Sequence, residues 1–243
     1  KKILEKNPHK KNEAIPNRNI KCNLKAYQFA NFISVASQHV KESFLLHQYP
    51  ENRIFVNPYG VDLSMFKPLP NIPKKYDVIM VGGWGYEKGC DLIVEAIRKT
   101  NYSFIHVGSI KDVDFPQEKN FTHIDPVDQS KLIEYYNQAK VFILPSRQDG
   151  FGMVLSQALA CNLPIIGSNN CGAPDLKKMV ELPEYITIIK DYTADAIVTA
   201  IHTAIKNYEQ LGERIYAGNA IENLTWEAYG KRYANFLHKI IKQ

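Results

Sequence analysis

The sequence lacks any run of about 18 consecutive apolar residues, the length that a membrane-spanning helix needs. It is also poor in cysteine, with four among 243 residues, and these form no Cys-x-x-Cys pair and have no histidine at zinc-ligand spacing. Scattered cysteines of this kind are typical of a reducing compartment. We therefore expect a cytoplasmic protein with no membrane-spanning helix, no disulfide framework and no metal site. The four residues are Cys22, Cys90, Cys161 and Cys171.

An initiator methionine and a signal peptide are also missing, and we expect the chain to begin partway through a longer protein.

Charged residues are distributed unevenly along the chain. Residues 1–25 carry eight Lys or Arg against two Glu, whereas the rest of the chain nearly balances basic with acidic residues. Such a basic arm is either a solvated segment or a contact for an anionic surface. We predict that it can contact the inner face of a membrane and that the protein has no nucleic-acid partner.

Apolar runs alternate with helical patterns from residue 76 onward, and this alternation predicts the fold. The runs "DVIMVG", "SFIHVG", "VFILPS" and "LPIIGS" lack polar alternation, as do strands that are buried on both faces. Segments with helical periodicity lie between them: "KGCDLIVEAIRK", "QSKLIEYYNQAK" and "GMVLSQALAC". Repeated strand, helix and strand predict an α/β protein with a parallel, doubly wound, Rossmann-like sheet. The chain after residue 192 is expected to be helical to its end.

A different pattern precedes this region. "FISVAS" predicts a strand, and the helix that follows it has Ser37 as its expected N-cap. The proline-rich segment "NPYGVDLSMFKPLPNIPKKYD" is typical of an ordered linker rather than of a core. We therefore place a domain boundary there.

In a parallel sheet of this type, ligands bind beyond the carboxyl ends of the strands. In "VGGWGYEKGCDL" a predicted strand runs into Gly82, Gly83 and Gly85, and a helix starts near Lys88. Glycines allow close backbone approach, and a helix N-terminus with a lysine suits a phosphate. The alternative is a turn whose lysine faces water, because the spacing is not that of an established phosphate-binding motif. The strand-end rule selects the loops 82–88, 108–112, 124–128 and 145–152.

The segment "SRQDGFGMVLSQALACNLPIIGS" places Asp149 at the same strand-end surface as Lys88. An acid repels phosphate, so it suits a neutral or transiently positive group that is attached to the phosphate. A sugar fits both descriptions, through its hydroxyls and through the charge that develops when its anomeric bond breaks. The alternative is that Asp149 only caps the following helix.

These segments, with "NNCGAPDL", resemble the donor-binding half of retaining glycosyltransferases with the GT-B fold, in the large group 1 family with a Glu-x7-Glu motif. The stretch "ISVASQHVKESFLLHQYPENRIFVNPYGVDLSMFKP" is similar to the end of that family's acceptor domain and linker, and "TWEAYGKRYANFLHKI" resembles its crossover helix. The likeness covers residues 31–241. It implies a basic arm and the end of an N-terminal acceptor-side domain (1–60), a linker (61–75), a donor-binding domain (76–225) and a crossover helix (226–243).

The resemblance also implies roles for individual residues. Lys88 would hold the donor diphosphate, and Asp149, at the first glutamate position, would contact the sugar near its reacting carbon. The amides of Gly150, Phe151 and Gly152 would receive phosphate and sugar. Gln157, at the second glutamate position, would bind the ribose hydroxyls.

The implied reaction moves a hexose from a nucleotide diphosphate sugar to a glycan or lipid-linked acceptor. It proceeds with retention of configuration, without metal or other cofactor, in polysaccharide biosynthesis.

The same site departs from the family's pattern. The family usually has an arginine five residues before its lysine, where this chain has Gly83, so one phosphate-binding charge is missing at the donor loop. Arg147 is a candidate substitute for that charge, although the interpretation that we favour is a solvent-facing arginine. Asp149 is shorter than glutamate, and Gln157 lacks the charge that strengthens a hydrogen bond. Rival hypotheses are a non-catalytic nucleotide-sugar-binding subunit, an epimerase or phosphorylase on the same fold, and a nucleic-acid-binding module suggested by the basic arm alone.

Nearby aromatic residues are open to two interpretations. Trp84 and Tyr86 either stack on a ligand or, as we expect, pack against the neighbouring domain. His106 and His123 are expected to be core histidines with satisfied hydrogen bonds rather than acids or bases of a reaction.

Overall fold

The computed structural model describes residues 17–211 and 218–242. Residues 1–16, which make up most of the predicted basic arm, lie outside the described residues. The chain forms a small unit with a two-stranded sheet and a large unit with a six-stranded sheet. Of the helices in the described residues, none combines the length and the apolar character that crossing a membrane requires.

The helices and strands follow the sequence pattern closely. The small unit contains α1 (Asn17–Phe29), β1 (Ile33–Val35), α2 (Gln38–Leu46) and β2 (Ile54–Val56). The large unit contains β3 (Tyr76–Val81), α3 (Cys90–Lys99), β4 (Phe104–Val107), β5 (Phe121–Ile124), α4 (Gln129–Gln138), β6 (Ala139–Leu144), α5 (Met153–Ala160), β7 (Ile165–Ser168), α6 (Ala173–Lys177), β8 (Ile186–Ile189) and α7 (Ala194–Leu211). The last helix is α8 (Trp226–Ile241).

The six strands lie in the order β5-β4-β3-β6-β7-β8, and every neighbouring pair is parallel. This order confirms the predicted doubly wound sheet. Chain order reverses between β3 and β6, and such a switch point leaves a crevice at the carboxyl ends of the two strands. The loops 82–89 and 145–152 leave the sheet at this crevice, so the fold itself places both predicted motifs side by side.

Apolar packing on both faces explains why the central strands lack polar alternation. Val78, Ile79, Val141 and Phe142 are completely buried. The amphipathic helix α3 buries one face on the sheet, and its charges suit its ends, with Asp91 in the first turn and basic residues in the last. The helix α1 and the short strand β8, "ITII", were not predicted.

The small unit is tied to the C-terminal helix. The ring of Phe236 on α8 stacks on Phe55 at 4.2 Å and meets Phe32 edge-on at 5.3 Å. Arg232 donates hydrogen bonds to the side-chain oxygen of Asn57 at 2.7 Å and to the carbonyl of Pro58 at 2.8 Å. The C-terminal helix therefore packs back onto the residues that precede the linker. The division into domains with separate roles stays a prediction.

Two glycines provide a matched test of backbone strain. Gly89 has a φ of 75°, and a Cβ there would lie 2.4 Å from the carbonyl oxygen of Pro145. Gly230 lies within α8, and a Cβ there would meet nothing within 4 Å. We expect Gly89→Ala to lower the free energy of unfolding by about 1–3 kcal/mol, and Gly230→Ala to raise it by about 0.5–1 kcal/mol. Urea unfolding measures both, and equal effects would contradict the backbone argument.

Candidate functional site

The loop after β3 and the loop after β6 are hydrogen-bonded to each other at the switch point of the sheet. The backbone amide of Arg147 donates to the carbonyl of Glu87 at 2.8 Å, so the loop after β6 is hydrogen-bonded to the loop after β3. Gly89 lacks a side chain where Pro145 passes, which allows the two backbones to approach. These backbone contacts bring Lys88 and Asp149, which lie about sixty residues apart in the chain, into one site.

Lys88 and Asp149 form an ion pair at the centre of this site. Lys88 Nζ lies 2.6 Å from Asp149 Oδ2, and their side chains are 20% and 17% exposed. Asp149 Oδ1 also accepts a hydrogen bond from the amide of Phe151 at 3.3 Å. The N-cap of α5 is Gly152, without a side-chain cap, so the alternative that Asp149 only caps this helix is wrong. The carboxylate of Asp149 and the ammonium of Lys88 are thus held together at one point of the site.

The N-terminus of α5 lies at the same site as Lys88 and Asp149. Gly152 has a φ of 79°, and a Cβ there would lie 2.8 Å from a methyl carbon of Leu144, so the turn into the helix requires glycine. The first-turn amides of a helix have no partner within it, and the helix dipole makes this end partly positive. The site therefore combines a lysine with a helix terminus, both of which attract anions.

A cavity of about 310 Å³ lies between the two loops. Its size falls at the lower end of the range for small-molecule sites. Gly83 and Arg147, both predicted to bind the donor, do not line it, whereas the other predicted residues of the two loops do. The lining consists of Tyr59, Val81, Gly82, Lys88, Leu144, Asp149, Gly150, Phe151, Gly152, Met153 and Val154.

Gln157 lies beside a second cavity of about 190 Å³, which shares Met153 with the first. Its side chain is nearly buried, and its Oε1 accepts a hydrogen bond from the buried hydroxyl of Tyr136 at 2.9 Å. The amide nitrogen is the other hydrogen-bonding group of this side chain. Nothing in the sequence pattern predicted that Tyr136 positions Gln157.

A third cavity, of about 550 Å³, lies between the small unit and the loop after β6. Asp149 and Gly150 line this cavity as well as the first one. The hydroxyl of Ser37, which caps α2 as predicted, donates to the carbonyl of Gly150 at 2.6 Å. The start of α2 is therefore held against Gly150, which lines both the first and the third cavity.

His39 is a residue of the large cavity that the sequence did not predict. It lines the large cavity, and burial lowers its pKa, while the negative charges of Glu42, Asp149 and Asp175 act in the opposite direction. Asp175 accepts two hydrogen bonds of 3.2 Å from the amide of Gln38, and burial raises its pKa. No motif marks these residues, because they meet only through contacts between the two units.

Arg147 is neither solvent-facing nor unpaired. Its guanidinium forms two hydrogen bonds to the carboxylate of Asp91, at 2.5 and 2.7 Å, and lies over the ring of Tyr86 at 3.7 Å. The expectation of a solvent-facing arginine is therefore wrong, since the side chain is only 15% exposed. A role for Arg147 in donor binding stays a prediction, and it requires the pair with Asp91 to open.

The aromatic residues of the glycine loop pack within the large unit. Trp84 is 1% exposed and contacts His106, Phe115 and Phe121. The expectation that it packs against the neighbouring domain is wrong, because the loop folds back over its own sheet. His106 is confirmed as a core histidine: its Nε2 lies 2.8 Å from the carbonyl of Gly82, and its Nδ1 lies 3.0 Å from Nδ1 of His123. The expectation that His123 is also a core histidine is wrong, since its side chain is 24% exposed.

His106 gives the stability of the fold a pH dependence. Burial lowers its pKa from 6.5 to about 4. Between these values the unfolded chain binds a proton that the folded chain does not, so the free energy of unfolding should fall as pH drops from 6.5 to 4. The expected loss is about 3 kcal/mol. Urea unfolding across this range should give a flatter profile for His106→Gln, and equal slopes in both proteins would contradict the assignment.

Within the described part of the chain, no group of three or more His, Cys, Asp or Glu side chains is placed to hold a metal ion.

The family model "Glycosyl transferases group 1" matches residues 64–220 of this chain. A probable sucrose-phosphate synthase of Thermosipho melanesiensis is 26% identical over 242 residues, which cover 88% of this chain and 56% of that protein. A GDP-mannose-dependent alpha-(1-6)-phosphatidylinositol monomannoside mannosyltransferase of Mycolicibacterium smegmatis is 23% identical, over 86% of this chain and 62% of that protein. The chain thus spans less than two thirds of these relatives.

Solved structures share the fold. The sucrose-phosphate synthase of Thermosynechococcus elongatus superposes with a TM-score of 0.71 at 19% identity, covering 93% of this chain and 62% of that one. Anabaena HepE, in complex with UDP and glucose, superposes with a TM-score of 0.71 at 16% identity, covering 93% of this chain and 68% of that one.

Proposed function

Because the chain belongs to the group 1 glycosyltransferases and has the GT-B fold, we propose that it is the donor-binding part of an enzyme that uses a nucleotide diphosphate sugar. It transfers a hexose to a glycan or lipid-linked acceptor with retention of configuration. The observation that carries this proposal is the Lys88–Asp149 pair, in which Lys88 lines one cavity and Asp149 lines that cavity and the larger one beside it.

The donor diphosphate binds at the lysine and the start of α5. A lysine ammonium has three donors, so Lys88 can contact a phosphate while it keeps Asp149 as a partner. The positive end of the α5 dipole favours the negative charge that grows on the departing diphosphate. These groups take the role that a metal or another cofactor would otherwise have, and we include none in the proposal.

The sugar lies against Asp149, and the acceptor enters through the larger cavity. When the bond between the anomeric carbon and the diphosphate breaks, positive charge develops on the sugar, which the nearby carboxylate stabilises. The acceptor oxygen forms the new bond, and its proton passes to the departing diphosphate. In the proposal the acceptor approaches from the cavity that shares Asp149, because retention requires attack from the side on which the diphosphate leaves.

The proposed setting is the cytoplasmic face of a membrane, in polysaccharide biosynthesis. A lipid-linked acceptor is presented at such a surface, and the basic residues 1–25 suit anionic lipid headgroups.

A non-catalytic nucleotide-sugar-binding subunit is the second candidate. Two observations favour it: Asp149 neutralises Lys88, and an uncharged Gln157 stands where the family has glutamate. Turnover in a protein that carries both halves of the fold would exclude it.

Calorimetric titration with UDP, GDP, ADP and their hexose conjugates tests the proposal directly. We expect one nucleotide diphosphate to bind and its hexose conjugate to bind more tightly. With both halves present, transfer should require an acceptor; sugar conversion without acceptor would indicate an epimerase, and dependence on free phosphate would indicate a phosphorylase. A folded chain that binds none of these nucleotides would contradict the proposal.

A further inference from the structure

The cations that the sequence predicted for the donor site are already neutralised. Lys88 is paired with Asp149, and Arg147 is paired with Asp91. A nucleotide diphosphate brings several negative charges to this surface. The two predicted cations alone would leave much of that charge without a counterpart.

The loop after β4 supplies a further cation. Trp84 donates its amide to the carbonyl of Ser109 at 2.8 Å, and Lys111 donates its amide to the carbonyl of Trp84 at 3.0 Å. Trp84 and Ile110 thereby form a parallel bridge beyond the ends of β3 and β4. This pairing fixes the backbone of Lys111 beside the glycine loop.

The side chain of Lys111 covers Gly83. A Cβ at position 83 would lie 2.3 Å from Cε and 3.1 Å from Nζ of Lys111. The ammonium therefore occupies the space that a side chain at position 83 would enter. Gly82, the adjacent residue, lines the same cavity as Lys88.

Lys111 is also available to a ligand. Its side chain is exposed, and it takes part in none of the ion pairs found within residues 17–211 and 218–242. An unpaired ammonium beside the glycine loop contributes a full positive charge, whereas a paired lysine contributes little net charge.

We propose that Lys111 is a phosphate-binding residue of the donor site, which provides from the loop after β4 the positive charge that Gly83 leaves out. The inference rests on the proposed function of this cavity and adds a specific residue to it. The end of the Lys111 side chain fills the space that a Cβ at position 83 would enter, and it would have to shift to admit one.

Calorimetry on the full chain tests this inference with Lys111→Ala. We expect nucleotide diphosphate affinity to fall about threefold to tenfold, because the lysine is exposed and solvent screens it. The affinity should also become less dependent on salt. Binding of the nucleoside without phosphates should not change. Lys119→Ala is the matched control, since Lys119 is also exposed but precedes β5, at the opposite end of the strands.

A charge relocation makes the test specific. The backbone of Gly83 lies outside the left-handed region, so an arginine there is not strained once Lys111 is shortened. Gly83→Arg combined with Lys111→Ala should restore the affinity that Lys111→Ala loses. Unchanged affinity in Lys111→Ala, or no restoration in the double variant, overturns the inference while nucleotide binding by the wild-type chain still supports the proposed function. A wild-type chain that binds no nucleotide overturns both.

Discussion

Lys88→Ala is expected to weaken nucleotide diphosphate binding by about ten- to a hundredfold. A hydrogen bond to a charged group contributes about 1.5–3 kcal/mol, and Lys88 is the cation that lines the cavity beside the start of α5. The substitution also leaves the largely buried carboxylate of Asp149 without its ion-pair partner. We therefore expect the free energy of unfolding to fall by about 1–2 kcal/mol, between the values for exposed and buried pairs.

Calorimetry with the diphosphate and with the bare nucleoside separates these two effects. Lys88→Arg keeps the charge and should retain more of the affinity than Lys88→Ala. Lys119→Ala again controls for the general loss of a surface charge. If Lys88→Ala loses stability but binds the diphosphate like the wild type, then Lys88 serves only as the structural partner of Asp149.

Asp149→Asn is expected to have the opposite signature, with transfer reduced by about a hundredfold or more and diphosphate affinity retained or increased. Asparagine has the same shape and can still accept the hydrogen bond from the amide of Phe151. It lacks the charge that we propose stabilises the reacting sugar, and removal of one such electrostatic contact typically costs about 10²–10³ in rate. It also frees Lys88 for the phosphate.

Transfer is measured in a protein that carries both halves of the fold, and diphosphate binding is measured in this chain. Asp195→Asn removes an acid from an exposed pair with Lys99 and should change neither quantity. Loss of binding in parallel with loss of transfer would show that Asp149 acts by holding the site together. Full turnover without the carboxylate would remove it from the reaction.

The position of the site could be predicted from the sequence because it follows from topology. Apolar runs without polar alternation predicted β3 and β6, and the carboxyl ends of adjacent parallel strands lie at one edge of the sheet. Lys88 and Asp149 lie on the loops that follow these two strands, so their place at one edge of the sheet required no knowledge of side-chain packing. The short strand β8 was not predicted, because three isoleucines and one threonine between longer helical patterns carry little signal.

The pairing of charges could not be predicted. Arg147 and Asp91 lie on different loops, and either could have faced water or a ligand. Which partner each charge takes depends on distances that the sequence does not contain. For the same reason, the sequence did not predict that His39, Tyr136 and Lys111 lie near the site.

The sequence by itself determined the α/β class, the parallel, doubly wound sheet and the strand-end loops, because hydrophobic periodicity and the handedness of crossovers leave few alternatives. It also indicated the family, since Asp149, the Gly150-Phe151-Gly152 triplet and Gln157 stand in one segment at the family's spacing. Only the tertiary structure decided that Asp149 neutralises Lys88, that Arg147 is held by Asp91, and that Lys111 covers Gly83. Those outcomes depend on side-chain contacts within a few ångströms between distant parts of the chain, and only the folded backbone sets such distances.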